Sequence, residues 1–193
     1  MITKKIYLAS QSPRRRQILT QLGLDFDIVL PDKDVDEKLS DIGIDEALKE
    51  LALRKARAVM DKVTDGCIIA ADTVVVLSDR IFGKPHTREK AFEMLSTLSG
   101  KVHQVKTGVC VLDKKSGRYL LECESTDVHF LPLDENTIWE YVNTDEPNDK
   151  AGAYGYQEKG ARLVSRIEGC YYNVVGLPAA KTLMMIKELY KGF

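Results

Sequence analysis

An excess of charge of one sign is missing from this sequence: 28 lysines and arginines stand against 29 aspartates and glutamates, a formal net charge of -1. That balance argues against a general nucleic-acid binder, which presents a broad basic surface. Any basic cluster in the chain therefore answers a local question. Paired cysteines are missing too. Cys67, Cys110, Cys123 and Cys170 stand far apart with no CxxC among them, which argues against a zinc ribbon or a thioredoxin-like motif. No apolar run approaches the roughly 20 residues of a membrane-spanning helix. Lys4 and Lys5 interrupt the N-terminus, and the run Ile6 to Ala9 is too short for a secretory signal. Low-complexity tracts and repeats are absent. The expectation is a soluble cytoplasmic protein with reduced thiols, whose partners are neither membrane nor nucleic acid.

Several familiar active-site signatures are absent as well. Ser99-Gly100-Lys101 lacks the first glycine of a P-loop, and Val102 follows the lysine. There is no GxSxG elbow. His86, His103 and His129 share no metal-ligand spacing, and the latter two read as satisfied or exposed strand residues. Asp32, Asp34 and Asp36 fit the first odd positions of a calcium loop. Glu37 then stands where that loop needs glycine, and Gly43 where it needs glutamate, so the EF-hand reading fails.

The elements that are present alternate. Lys5 to Ala9 reads as a strand. Ser12 as N-cap with Pro13 at the first helical position opens a helix to about Leu22, closed by Gly23. Phe26 to Leu30 is a strand and Asp32 to Ser40 an acidic loop. Helices are expected at Asp45 to Lys62, Arg88 to Leu98, Asp134 to Asn143 and Leu177 to Tyr190. Cys67 to Leu77 is strongly strand-like. Val102 to Leu112 and Tyr119 to Leu131 read as a long antiparallel pair, and Leu163 to Ile167 with Tyr171 to Val175 as a hairpin through Glu168-Gly169. Trp139 reads as core. Helices at both ends with hairpins between them predict an α/β fold with a mixed sheet. The length of 193 residues suits one domain, or two lobes sharing one core.

Functional candidates are polar residues inside apolar patterns. Asp72 interrupts the run from Cys67 to Leu77, where a carboxylate is costly to desolvate unless a charge meets it. It is either the end of a strand or a general base or metal ligand. Lys55 falls on the helical face of Leu48, Leu51, Ala52 and Val59, as a snorkelling lysine or as a cation reaching toward phosphate. Lys84 lies in Phe82-Gly83-Lys84-Pro85 just past the strand, and gains weight only beside Asp72. Arg14, Arg15 and Arg16 crowd a helix start whose N–H groups and dipole favour an anion, with Ser10 and Ser12 beside them; a solvated basic helix start is the alternative. Arginine forks add bidentate contacts to phosphate. The acidic loop offers carboxylates for Mg²⁺, which needs only one or two when phosphates complete its shell; a solvated loop is the alternative. The set suits a polyphosphate ester: cations neutralise phosphates, and acids hold metal and orient water.

The same residues carry a resemblance. LASQSPRRRQIL, the VDEK segment, LALRKARAV, AADTVVVL, GKP, LSGKVHQVKTGV, DEPNDKAGAYGYQ and VVGLP, in this order, resemble the Maf family of nucleoside triphosphate pyrophosphatases over essentially the whole chain. The resemblance implies one domain over residues 1–193 with an elongated, inosine-triphosphatase-like mixed sheet, flanking helices and a cleft between two lobes. It implies hydrolysis of a nucleoside triphosphate to the monophosphate and pyrophosphate with a divalent cation, Mg²⁺ or Mn²⁺. By position Asp72 matches the proton acceptor, and Ser10, Arg15, Glu37, Lys55 and Lys84 match cleft residues. Arg14, Thr73 and Gln157 stand where the dTTP/UTP subgroup carries them. The 7-methyl-GTP subgroup has tryptophan and glutamine in place of that arginine and threonine. A longer lead into the acidic segment leaves open whether Asp36 or Glu37 binds metal.

The expected activity is therefore dTTP/UTP pyrophosphatase. Arg14, Arg15, Lys55 and Lys84 would hold the triphosphate, Gln157 would read a base edge, and Asp72 would activate water or bind metal with Glu37. Two alternatives stand beside it. One is a nucleotide-binding regulator of septum formation without turnover. The other is a house-cleaning enzyme of the same chemistry acting on modified pyrimidine triphosphates. The resemblance also makes a homodimer the expected assembly.

Overall fold

The computed structural model describes residues 4–33, 35, 38, 39 and 41–191. Among the described residues seven strands form one sheet: β1 (Ile6–Leu8), β2 (Phe26–Ile28), β3 (Cys67–Leu77), β4 (Arg80–Phe82), β5 (Val102–Asp113), β6 (Tyr119–Phe130) and β7 (Val164–Glu168). Their order is β2-β1-β3-β5-β6-β7, with β4 paired to β3. β1 pairs in parallel with both β2 and β3, whereas β4 runs antiparallel to β3 and β7 antiparallel to β6. The sheet is thus mixed, as the alternation of elements predicts. Among the described residues six α-helices accompany it: α1 (Pro13–Gln21), α2 (Ile44–Arg57), α3 (Arg88–Leu98), α4 (Glu135–Val142), α5 (Tyr171–Val175) and α6 (Ala179–Leu189).

The chain divides into two compact units. The first comprises Met1–Asp72, Thr107–Glu124 and Gly176–Phe193. Its core includes Ala52, Ala56 and Val59, with Ile68, Ala70, Cys110 and Leu112 from the sheet. Helix α2 earns its place there through a run of small and branched residues, Ala47, Leu48, Leu51, Ala52 and Ala56, all buried. The approach is close: a Cβ on Gly108 would stand 2.4 Å from the Leu48 carbonyl oxygen. The second unit comprises Thr73–Lys106 and Ser125–Val175, with a core of Phe82, Leu95, Leu98, Val128, Phe130, Tyr141 and Tyr154 among others.

Four features differ from expectation. Tyr171–Val175 is a helix, not a strand. β7 takes β6 as its partner instead, pairing Val128 with Ile167. Asn173, fully buried, donates from Nδ2 to the Val105 carbonyl at 2.9 Å and to Thr126 Oγ1 at 3.0 Å, anchoring the helical turn. Tertiary bonds thus override the β-propensity of its tyrosines and valines. Strand β4 was not expected: its hairpin turns through Ser78 and Asp79, both with positive φ, and no glycine betrays the turn. The expected helix to Lys62 breaks after Arg57 and resumes as a 3-10 turn at Met60–Lys62. Trp139 is not core. Ile138, Tyr141 and Val142 form the buried face of α4, and Trp139, one step around the helix, is 36% exposed and stacks on Phe92 at 4.6 Å.

Candidate active site

The helix start at Pro13 forms as its sequence predicts. Ser12 is the N-cap, and its Oγ accepts from the Arg15 N–H at 3.4 Å, while Pro13 occupies the first helical position. The turn before it is closed by the Ser12 N–H donating to Ser10 Oγ at 3.2 Å. Ser10 is nearly buried, so its hydroxyl organises the turn. Arg14 and Arg15 are half-buried and Arg16 is exposed.

Arg15 reaches across the first unit. Its Nε donates to the Gly176 carbonyl at 2.8 Å, and its Nη1 donates to the Ala71 carbonyl at 2.7 Å and to Ser10 Oγ at 3.3 Å. A guanidinium fork suits this spread of acceptors. The fork brackets the residue next to Asp72.

Asp72 does not end its strand. β3 runs unbroken from Cys67 to Leu77, buried at every residue before Asp72 and at Val74, Val75 and Val76 after Thr73. Burial lapses at Asp72 and Thr73 together, whose side chains point to opposite faces of a strand. The Asp72 carboxylate meets the charge its position demands: Lys55 Nζ donates to Oδ1 at 2.5 Å. Both side chains keep about one sixth of their surface, 16% for Lys55 and 17% for Asp72. Lys55 lies in the last turn of α2 beside Arg54 and Arg57, where cations complement the helix dipole. The structure thus joins the two strongest candidates into one ion pair.

In the second unit Thr73 and Gln157 are half-buried, and Lys84 is exposed ahead of the buried Pro85. The expected metal ligand Glu37, and Asp36 beside it, lie outside the described residues. Among the described residues no group of three or more histidines, cysteines, aspartates and glutamates is gathered to hold a metal by itself. Asp72 is one hard carboxylate, which fits a cation such as Mg²⁺ that arrives with its phosphates. Burial pushes the Cys67 and Cys110 thiols up to about 12, so both stay protonated at neutral pH.

Two features escaped sequence reasoning. The carbonyls of Ala71 and Gly176 that receive Arg15 carry no sequence signal. Glu146 gathers several hydrogen bonds in the loop that carries Gln157; its only sequence trace is its place in DEPNDK. No helix among the described residues is long and apolar enough to cross a membrane.

Comparison with known proteins gives a consistent result. The family profile described as Maf-like protein matches residues 5–189. A protein of Acetivibrio thermocellus named dTTP/UTP pyrophosphatase is 48% identical over 191 residues, covering 95% of this chain and 94% of the relative. Proteins of the same name from Carboxydothermus hydrogenoformans and Bacillus velezensis are each 45% identical, over 184 and 188 residues; the shares covered are 95% of this chain and 98% of the relative for the first, 97% of each for the second. Among solved structures, a HAM1 protein from Coxiella burnetii superposes with a TM-score of 0.53 at 17% identity, covering 97% of this chain and all of that one. The Staphylococcus aureus Ham1 protein gives 0.51 at 15%, with coverage of 97% and 100%. At such identities these two structures speak for the fold alone.

Proposed function

The chain belongs to the Maf-like protein family, and from that premise we propose that it is a nucleoside triphosphate pyrophosphatase acting on dTTP and UTP. The observation that carries the chemistry is Asp72 held against Lys55 at 2.5 Å inside an otherwise apolar strand. An acid and a cation kept together at that cost of desolvation suit a site that handles phosphate and water. The choice of dTTP and UTP is supported by the name of relatives 45–48% identical over nearly full length, and by Arg14, Thr73 and Gln157.

In this reading water attacks the α-phosphorus, and the bond from that phosphorus to the oxygen bridging to the β-phosphorus breaks. Pyrophosphate leaves and the nucleoside monophosphate remains. Asp72 accepts the proton of the attacking water. Arg14, Lys55 and Lys84 neutralise the triphosphate, and Lys55 exchanges part of its bond with Asp72 for a phosphate oxygen. Arg15 adds positive charge and, through the Ala71 carbonyl, holds the backbone next to Asp72. Ser10 supports Arg15. Gln157, which offers both donor and acceptor, reads the base edge. A divalent cation, Mg²⁺ or Mn²⁺, would be held by Glu37, with Asp72 as a second ligand in the alternative where Asp72 binds metal instead of accepting the proton, and would supply neutralisation of the phosphate charge. The protein is further read as cytoplasmic and homodimeric.

The test is pyrophosphate release from dTTP, UTP, CTP, dATP, GTP and 7-methyl-GTP with Mg²⁺ or Mn²⁺, for the native protein and Asp72→Asn. The expected result is preference for dTTP and UTP, lost in the variant while nucleotide binding persists. Preference for 7-methyl-GTP would overturn the assignment of Arg14, Thr73 and Gln157. Binding without release under any of these conditions would favour a regulator of septum formation, and release only from methylated pyrimidine triphosphates a house-cleaning role.

A further inference from the structure

Gln157 sits in a short turn at residues 156 and 157, and the chain on either side of that turn is tied at one point. Tyr141, fully buried on α4, donates its hydroxyl to Glu146 Oε1 at 3.0 Å and accepts from the Gly155 N–H at 3.1 Å. Glu146 Oε2 accepts from the Lys159 N–H at 3.2 Å, and Oε1 accepts from the Gly160 N–H at 3.3 Å. One carboxylate and one phenol thus receive the backbone donors of both feet of the segment 155–160. Bonds to a carboxylate are the stronger kind; residues 155–158 lie outside any strand or helix, and Lys159 and Gly160 are the first two residues of a 3-10 turn, whose leading N–H groups have no partner within the turn.

The feet also touch. A Cβ on Gly160 would stand 2.3 Å from the Gly155 carbonyl oxygen and 2.8 Å from the Tyr141 hydroxyl. A Cβ on Gly155 would stand 2.5 Å from Lys150 Cε. Only glycine permits this closure. Lys150, nearly buried, donates from Nζ to the Glu146 carbonyl at 2.7 Å and to Asp149 Oδ1 at 2.9 Å, which fixes the backbone that presents the carboxylate. Burial raises the Tyr141 phenol well above its ordinary value, so it remains a donor at neutral pH.

We infer that Glu146, with Tyr141, is a positioning residue that clamps the arch 155–160 and so fixes the amide of Gln157 for selecting uracil and thymine over cytosine. The inference rests on the reading of Gln157 as the base-contacting residue. Uracil and thymine present an acceptor at O4 beside a donor at N3, whereas cytosine presents an amino donor beside an acceptor. A primary amide fits either edge, turned by half a rotation. An amide on a loose loop therefore reads both bases, and an amide on a clamped loop reads one. Selectivity then resides in what holds the arch, as an unpaired donor facing the wrong base is penalised only when it cannot turn away.

The experiment measures dissociation constants for the α,β-methylene analogues of UTP and CTP, and pyrophosphate release from UTP and CTP. It compares native protein with Glu146→Ala, Glu146→Gln and Tyr141→Phe. Glu146→Ala is expected to cut the UTP-over-CTP binding preference by about tenfold, the value of roughly one hydrogen bond, chiefly because the CTP analogue binds more tightly once the amide can turn. Glu146→Gln keeps an oxygen for Tyr141 and Gly160 but turns an NH₂ toward Lys159, so it falls between native and Glu146→Ala. Tyr141→Phe lowers the preference in the same sense and serves where Glu146→Ala does not fold. An unchanged preference in these variants, an equal weakening for both analogues, or a native protein that binds both alike overturns the inference. Native protein that prefers the UTP analogue yet releases no pyrophosphate would instead refute the enzymatic reading and leave the clamp standing, judged by the binding ratio.

Discussion

Removing the partner of Asp72 tests the centre of the site most directly. Lys55 and Asp72 are 2.5 Å apart with about one sixth of each side chain exposed. At an effective dielectric of about 20 their attraction is roughly 7 kcal/mol. Desolvation of both partners and ordering of the lysine offset most of that. Exposed pairs are worth up to about 1 kcal/mol and the breaking of a fully buried pair costs about 3–5 kcal/mol, so a coupling of about 2 kcal/mol is expected here. Lys55→Met leaves a half-buried carboxylate unpaired and should destabilise by about 2–3 kcal/mol. Asp72→Asn should cost less, because the long lysine side chain can turn toward water. The double variant should recover much of the loss. Urea unfolding of the four proteins in a double-mutant cycle measures the coupling. Turnover should behave oppositely: Asp72→Asn and the double variant should both lose about 100- to 10,000-fold, as for a missing general base. Stability regained without turnover separates what the pair does for the fold from what Asp72 does in the reaction. Additivity within about 0.5 kcal/mol would refute the energetic reasoning. Near-native turnover in Asp72→Asn would refute the chemical one.

Further outcomes follow from other contacts. His103 is buried and its pKa is lowered to about 4, first by burial and then by the charge of His129, with Asp127 opposing. The unfolded chain therefore takes up a proton near pH 6.5 that the folded protein refuses, so this contribution is complete above that pH and is lost as pH falls toward about 4, worth about 3 kcal/mol in all. His103→Phe should flatten that slope in unfolding measured from pH 7 to 4, and an unchanged slope would remove His103 as its source. Gly108→Ala should cost about 3 kcal/mol, because its Cβ meets the backbone of α2 at 2.4 Å rather than a side chain that can move; a melting temperature lowered by about 5–10 °C reads it. Arg15→Lys should lose about 2 kcal/mol and part of the turnover, since one ammonium cannot reach the carbonyls of Ala71 and Gly176 together. A lysine variant equal to native in both would show that charge alone matters at this position.

What local chemistry dictates was legible before any coordinates. Ser12 and Pro13 announce a helix start because a hydroxyl cap and a ring-fixed φ act within a few residues, and α1 begins there. The apolar run around Asp72 announces a buried strand because a continuous apolar stretch of that length is written into consecutive residues, and its one carboxylate marks the candidate site. The alternation of helix and strand likewise carries the fold class. Where two states were locally open, tertiary contacts chose between them. Tyr171–Val175 became helical because β7 paired elsewhere and Asn173 found acceptors on β5 and β6. Lys55 had two readings on its helix face, and only the packing of α2 beside β3 brought its ammonium to a carboxylate seventeen residues away. The acceptors of Arg15 are backbone carbonyls, which every residue possesses and no sequence distinguishes. Glu146 has no sequence trace beyond its place in DEPNDK, and the fold places two stretches of backbone and a phenol around it. The order of residues alone dictates which of them must find partners, because desolvation penalises each side chain wherever it lies. Which partners they found was decided by the tertiary structure, because hydrogen bonds and ion pairs act over a few ångströms and only folding sets those distances.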